Sequence, residues 1–471
     1  MPKRNLIVIL AMLTLAVTAF YVARSAPTSV PVDTPLPADL APLADALEQV
    51  RQKYHQPVDD RLHQKLHQGA VAGMVGQLDP YSTYIPPDQV EAFHQRLHGS
   101  GHGLGLRVEV SDGHVVVIGP LMGSPAHRAG LRGGDLIESV DDQPLAGLSI
   151  DQVYKRLDDP THPQAALVIV RVGQRHPFTI PRADLALETV QGLYRDAAGQ
   201  WVHIIQSAPG VAYIRIREFV RSTPEDLYRV LTNLGTPRGL LLDLRDNPGG
   251  TLEAAVATVN FFLAQGRIVT ALDRSQKPLA FNARRENLYS DTVPLVVLVN
   301  GRTASAAEIV AGALWVHNRA AVTGERTLGK GCVQSMISLG DLGQINLTTA
   351  TYYLQGGLSI TRESGSDVWG IEPHQAVVLL HEAEVDALRI RAEVMPAPPA
   401  ATPSPATAPT GAGSTERAER VERMEQKFLR LDTQLSQALN LVRDPPEMKR
   451  LIKQGATARI KRMPASMPKE K

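Results

Sequence analysis

Residues 294–334 read PLVVLVNGRTASAAEIVAGALWVHNRAAVTGERTLGKGCVQ. The stretch opens with an unbroken apolar run, Leu295 to Val299. A run that short, rich in β-branched residues and without polar alternation, predicts a strand buried on both faces. Asn300 and Gly301 end it, small residues follow, and a helical pattern begins near Ser305, with Ile309, Val310, Ala313 and Leu314 on one face. Ser305 is therefore expected at a strand-to-helix turn, where helix N–H groups are free to face a developing oxyanion. Farther on, Lys330 stands between Gly329 and Gly331 and is followed by Val333 and Gln334. A hydroxyl at a helix start and a lysine flanked by glycines are what a Ser–Lys hydrolase needs, provided the lysine sheds its charge to take the serine proton.

Plainer readings exist for each residue. Ser305 with Glu308 is also a capping box, S-x-x-E, which by itself accounts for both. Gly324-x-x-x-x-Gly329-Lys330 begins like a phosphate-binding loop, but that motif continues with Ser or Thr for magnesium, and here Gly331 follows. A lone lysine is ordinarily a solvated surface charge.

The segment resembles the catalytic heart of the carboxy-terminal processing peptidases, or tail-specific proteases. The resemblance rests on Asn300, on Thr303-Ala304-Ser305-Ala306-Ala307-Glu308-Ile309, and on Gly324, Thr327, Gly329-Lys330-Gly331 and Val333-Gln334. It implies Ser305 as nucleophile, Lys330 as general base and Gln334 as the residue that orients the lysine. Cys332 receives no role. The run Asp243-Leu244-Arg245-Asp246-Asn247-Pro248-Gly249-Gly250 resembles the family's oxyanion loop. That implies an oxyanion hole made by the Ala306 N–H with either Gly249 or Gly250. As residues alone, Asp243 and Arg245 beside a buried strand read as a structural ion pair.

Composition bounds the rest. The chain has 471 residues, too many for one core. Its 49 Lys and Arg nearly balance 48 Asp and Glu, which excludes a nucleic-acid signature over the whole chain. One cysteine excludes an intramolecular disulfide. No His/Cys cluster has ligand spacing, so no metal or other cofactor is implied.

At the N-terminus, Lys3 and Arg4 precede an apolar run from Leu6 to Ala23. This is a positively charged segment before a hydrophobic one, so residues 1–26 are expected to be a signal peptide or membrane anchor, read here as uncleaved. The chain is then exported and periplasmic or extracytoplasmic, held in the inner membrane by residues 6–23. Residues 27–38 are a Pro/Ser/Thr-rich linker. Residues 39–97 form an N-terminal helical region, with helical spacing at Leu43, Ala46, Leu47 and Val50 and again from Leu62 to Leu78, closing in a proline turn at Leu78-Asp79-Pro80.

Residues 98–182 alternate short strands with two short helical patterns. A dinucleotide loop is excluded because no βαβ unit follows the glycines. The unit resembles a PDZ domain in its Ser124-Pro125-Ala126 to Ala129-Gly130-Leu131 and Gly134-Asp135 to Val140-Asp141 landmarks. Such domains add an extended peptide as a strand and hold its C-terminal carboxylate on loop amides. By resemblance that loop is Gly103-Leu104-Gly105-Leu106. Residues 183–390 alternate strand and helix, which gives an α/β core. Within them Thr351 and His374 stand where the family usually carries arginine and aspartate.

Residues 391–413 are a Pro/Ala-rich linker. Residues 414–443 are expected to be one helix, with Val421, Met424, Phe428, Leu431, Leu435, Ala438 and Val442 at heptad spacing. That seam is adequate for a short coiled coil, and so for a homo-oligomer through the terminal helices, or for docking on the core. Residues 444–471 read as a basic solvated tail. The whole predicts a mixed α/β protease core with an inserted PDZ domain and an N-terminal helical region. The expected activity is that of an exported serine endopeptidase acting on protein or peptide substrates held by their C-termini. The rival is a catalytically silent PDZ scaffold that presents peptides to a partner.

Overall fold

The computed structural model describes residues 40–159, 161–196, 199–284, 289, 291–379 and 414–460. The signal or anchor at 1–26, the linkers at 27–38 and 391–413, and residues 461–471 lie outside them. Among the described residues no helix is long and apolar enough to cross a membrane. The chain divides into two units, one built from residues up to Val90 with Ser335–Leu347, the other from Glu91–Gln334 with the residues from Thr348 onward.

In the first unit the helical spacing yields two helices, Ala41–Lys53 and Asp60–Val75. Asp59 caps the second by accepting the Leu62 N–H at 2.8 Å. The first buries none of its residues and the second only Val75. At the proline turn the Asp79 carboxylate takes the N–H groups of Tyr81 and Ser82 and the Ser82 hydroxyl. That bends the chain into the strand Thr83–Ile85, which pairs antiparallel with Gln344–Asn346.

In the second unit, residues 98–182 form an antiparallel sheet in the order Leu106–Ser111, His114–Pro120, Leu136–Val140, Gln164–Arg171, Gln174–Pro181. The helix Ile150–Leu157 carries a full capping box, Ser149 with Gln152. Leu104, Val117, Leu145, Val153, Leu157 and Ile169 fill a separate small core. The buried Asp135 anchors its turn with two 2.7 Å bonds from Arg171.

The core is a mainly parallel sheet in the order Val190–Gln191, Val211–Ile216, Gly239–Asp243, Leu295–Val299, Ala321–Gly324, Gln375–Ala376. Its central strands, Gly239–Asp243 and Leu295–Val299, are buried along their whole length and nearly all apolar because both faces are covered. Side chains alternate between the faces. Ile214, Leu242, Val297 and Val322 point to one, with the helices Thr223–Leu234, Leu252–Asn260 and Ala306–Val316. Tyr213, Leu241, Val296, Leu298 and Ala321 point to the other, and there the C-terminal helices lie, through Phe428, Leu435, Ala438, Val442 and Met448. The heptad seam is thus used within the chain, on the sheet.

Two expectations need correction. The helix expected over 414–443 is two helices, Ser414–Leu431 and Thr433–Arg443. The break falls at Asp432, which leaves helical geometry to receive two 2.8 Å bonds from Arg245 and to cap the next helix at Leu435 N–H. The segment read as a solvated tail from 444 is helical over Pro445–Ile460, and Met448 is buried in the core. The Asp243–Arg245 pair is structural as read. Asp243 accepts from Arg245 at 2.6 and 2.9 Å and from the Tyr213 hydroxyl at 2.6 Å. Burial works against the Arg245 charge, but Asp243 and Asp432 outweigh it and raise its pKa well above the usual arginine range. His374, in place of the usual aspartate, accepts the Val322 N–H at 2.9 Å through Nδ1 and so closes a sheet edge.

Removing one partner from a buried ion pair costs more than the pair is worth, because the remaining charge stays buried. Asp432→Ala should therefore destabilise the protein by about 3 kcal/mol. In hydrogen exchange the amides of Thr433–Arg443 should lose protection first. A urea midpoint unchanged from the parent would show that the C-terminal helices hold without this clamp.

Candidate active site

The strand Leu295–Val299 delivers its chain end into a tightly bonded turn. Asn300 N–H donates to Thr303 Oγ1 at 3.0 Å, and the fully buried Thr303 hydroxyl donates to Leu244 O at 2.9 Å. The Asn300 side chain accepts Asp246 N–H and donates to Asp246 Oδ1. Burial pushes the Asp246 carboxyl up, but Arg215, Asn300 and Arg302 outweigh it and hold it down at about 2. This fixes the turn from Leu244 to Gly250 beside the turn from Asn300 to Ser305. Ser305 itself sits at φ 53°, ψ −120°, a backbone geometry that non-glycine residues adopt only when their surroundings impose it. The helix Ala306–Val316 starts directly after it.

The group that imposes this geometry is Glu308, completely buried on that helix. Its Oε2 accepts Ser305 N–H and Lys330 N–H, each at 2.9 Å. Its Oε1 accepts Gly329 N–H at 2.8 Å and the Thr327 hydroxyl at 2.5 Å. Burial is the largest influence on its pKa and raises it, although all four donors pull the other way. One carboxylate therefore ties the backbone of Ser305 to that of Lys330. The buried Tyr352 hydroxyl adds a second tie, lying against the carbonyls of both Ser305 (3.1 Å) and Lys330. Lys330 Nζ donates to Oε1 of Gln334, on the strand Cys332–Ser338, at 2.7 Å.

The glycine loop packs against this assembly. Gly249 adopts φ 107°, and a Cβ there would meet Ser305 Cβ at 2.7 Å and Ala306 N at 2.9 Å, so only glycine fits. Its N–H is spent on Asn247 Oδ1 at 2.8 Å. The buried Asn247 also donates to Ile216 O and accepts Ala304 N–H through its own carbonyl. Gly250 is exposed, and its N–H meets no acceptor among the described residues. The same holds for Ala306 N–H at the helix start.

Ser305, Ala306, Gly249, Gly250, Lys330 and Gln334 thus come together. Gly103, Leu104, Gly105 and Leu106 do not join them; their close neighbours are Ser124 and Asp158 of their own small domain. Sequence reading treated Glu308 as half of a capping box, and that half is real. What it missed is the reach of the same carboxylate to Thr327, Gly329 and Lys330. Tyr352 was visible only as part of a strand.

The sequence signature of peptidase family S41 matches residues 210–377, and that of a PDZ domain matches residues 116–171. A carboxy-terminal-processing protease of Bartonella bacilliformis is 34% identical over 328 residues, covering 68% of this chain and 72% of that protein. The carboxy-terminal processing protease CtpA of Bacillus subtilis is 32% identical over 320 residues, covering 67% of this chain and 65% of its own length. A solved photosystem II D1 C-terminal processing protease aligns over 75% of this chain and 92% of its own, with 27% identity and a TM-score of 0.44. With a continuous match of that extent around a strained serine, the chain belongs to the carboxy-terminal processing serine proteases of peptidase family S41.

Proposed function

We propose that Ser305 and Lys330 act as a nucleophile–base dyad in a serine endopeptidase that takes substrates by their C-termini. The observation that carries this reading is the single Glu308 oxygen shared by the amides of both residues. In the neutral form, Lys330 Nζ, aimed by Gln334, takes the Ser305 hydroxyl proton as Oγ attacks the scissile carbonyl carbon. The Ala306 N–H receives the oxyanion, and Gly250 supplies the second donor because the Gly249 N–H is already engaged. As the C–N bond breaks, Lys330 returns the proton to the leaving amine. Water then attacks the acyl-enzyme by the same route and frees the acid.

Among the described residues the edge strand Leu106–Ser111 pairs on one side only, with His114–Pro120. That supports a groove in which a substrate tail adds as a strand, with its carboxylate at Gly103–Leu106. The charged and apolar pattern of residues 3–23 supports export, with the catalytic body outside the cytoplasm. Protease digestion of cells with a permeabilised outer envelope would remove the catalytic body on this reading and spare a cytoplasmic one.

Ser305→Ala and Lys330→Ala should each abolish cleavage of an unfolded protein with an apolar C-terminus, and the double variant should be no worse than either. Near-normal rates in Lys330→Ala would assign the base elsewhere. A parent protein no faster than Ser305→Ala would favour the silent scaffold.

Glu308→Gln tests the shared carboxylate. In either orientation the amide keeps one acceptor oxygen and turns an NH2 toward at least one backbone donor. A shift of Ser305 and Lys330 by a fraction of an ångström should lower kcat on the order of 100-fold while leaving KM nearly unchanged. A kcat within threefold of the parent, with unaltered circular dichroism, would show that the two backbones hold their places without it.

A further inference from the structure

The peptide groove of the small domain is occupied by the protein's own side chains. Its floor is the edge strand Leu106–Ser111 and its wall is the helix Ile150–Leu157. From that helix the Tyr154 hydroxyl accepts the Val108 N–H at 3.3 Å, the kind of bond an added peptide strand makes through a carbonyl. One turn on, the Asp158 carboxylate lies against the Gly103–Leu106 loop, on the side of the Leu104 N–H. It lies so close that a Cβ on Gly103 would come within 2.0 Å of Asp158 Oδ1. The loop is held from behind: Leu104 O accepts Ala126 N–H at 3.0 Å, and Gly105 O accepts Leu121 N–H at 2.7 Å. Its amides are what it offers to a ligand, and a carboxylate already lies against them. Tyr154 and Asp158, four residues apart on one helical face, copy the two halves of a bound tail.

We propose that Asp158 is a built-in competitor for substrate C-termini, so that a free terminal carboxylate enters the loop only when Asp158 gives up its charge or swings away. The proposal rests on the reading that this groove takes C-termini. Two carboxylates on one small set of amides repel each other, and the pair is tolerated once one of them holds a proton. A protonated Asp158 also becomes a donor toward the incoming carboxylate. The other charged groups facing Asp158 are Arg182 and His102. Arg182 is bound to Asp141 and to the carbonyls of Arg156, Leu157, His162 and Gln164. His102 is paired with Asp184 at 2.9 Å. Beyond the helix end, Asp159 is engaged by Thr161 and His162. Burial dominates over Leu104 N–H, Arg182 and His102 and raises the Asp158 pKa to about 6. The acid is therefore charged at pH 7.5 and mostly neutral at pH 5.5, and capture of free C-termini strengthens as pH falls between them.

The test uses the full chain carrying Ser305→Ala, so that bound peptide survives. Fluorescence anisotropy gives Kd for a labelled peptide with an apolar C-terminal residue, as free acid and as amide, at pH 5.5 and 7.5. The free acid should bind on the order of tenfold more tightly at pH 5.5, as the competent fraction rises. Asp158→Asn, which keeps the side chain's shape without its charge, should bind the free acid at pH 7.5 as the parent does at pH 5.5, with little remaining pH dependence. His102→Gln should keep the pH dependence. A flat pH series in the Ser305→Ala parent overturns the proposal without recourse to any further variant. So does a preference for free acid over amide that Asp158→Asn leaves unchanged at both pH values, an outcome that spares the C-terminal reading. Equal binding of acid and amide throughout would overturn that reading and the proposal with it.

Discussion

A single buried carboxylate sets the geometry on which the catalytic assembly depends. Glu308 accepts four hydrogen bonds from three chain segments: Ser305 on its own turn, Thr327, and the glycine-flanked amides of Gly329 and Lys330. A charge in that position is costly, and the raised pKa records the cost. Four donors offset it, and in doing so they hold a serine in a strained conformation next to a lysine from a distant part of the sequence. The parallel sheet supplies the frame. Leu295–Val299 fixes where the Ser305 turn begins, and Gly239–Asp243, its parallel neighbour, fixes where the glycine loop begins. Both turns leave the sheet at the carboxyl ends of adjacent strands, where open α/β sheets commonly place their chemistry.

Much of this was legible in the sequence, for reasons that differ by element. The run Leu295–Val299 announces a doubly buried strand because no polar residue interrupts it. Ser305, Lys330 and Gln334 sit within short, dense patterns whose chemistry is recognisable locally. The second task of Glu308 was not legible. Its bonds to Ser305 explain the residue completely at close range, and its other donors lie 19 to 22 residues away. The break at Asp432 was hidden for the same reason. The heptad spacing runs through it without a flaw, and the partner that draws it out, Arg245, is 187 residues distant. The helix Pro445–Ile460 was masked by charge composition, which a helix with one buried anchor such as Met448 tolerates. Asp158 carries no local pattern at all; only the folded loop reveals what it touches.

The two binding elements follow opposite electrostatic designs. At the catalytic turn, amides converge on an internal carboxylate that no substrate has to displace. The Ala306 and Gly250 amides meet no acceptor among the described residues, and on the proposed mechanism they are left for the transient oxyanion. In the proposed peptide groove the internal carboxylate of Asp158 lies against the loop whose amides would hold the ligand. The first arrangement gives rigidity, the second leaves a site that must be cleared before use.

The C-terminal helices complete the second face of the catalytic sheet. Tyr213, Leu241, Val296, Leu298 and Ala321 share a core with Leu193, Tyr194, Ile205 and Ala208 and with residues from Phe428 onward, and Arg245 finds its second carboxylate at Asp432. During synthesis, therefore, the strand that carries the nucleophile is made more than a hundred residues before the surface that buries its far side. A growing chain holds Ser305 and Lys330 while one face of its sheet is still partly uncovered and one charge is still half paired. The protease core reaches its full burial only once the helices from Ser414 onward have been made and docked.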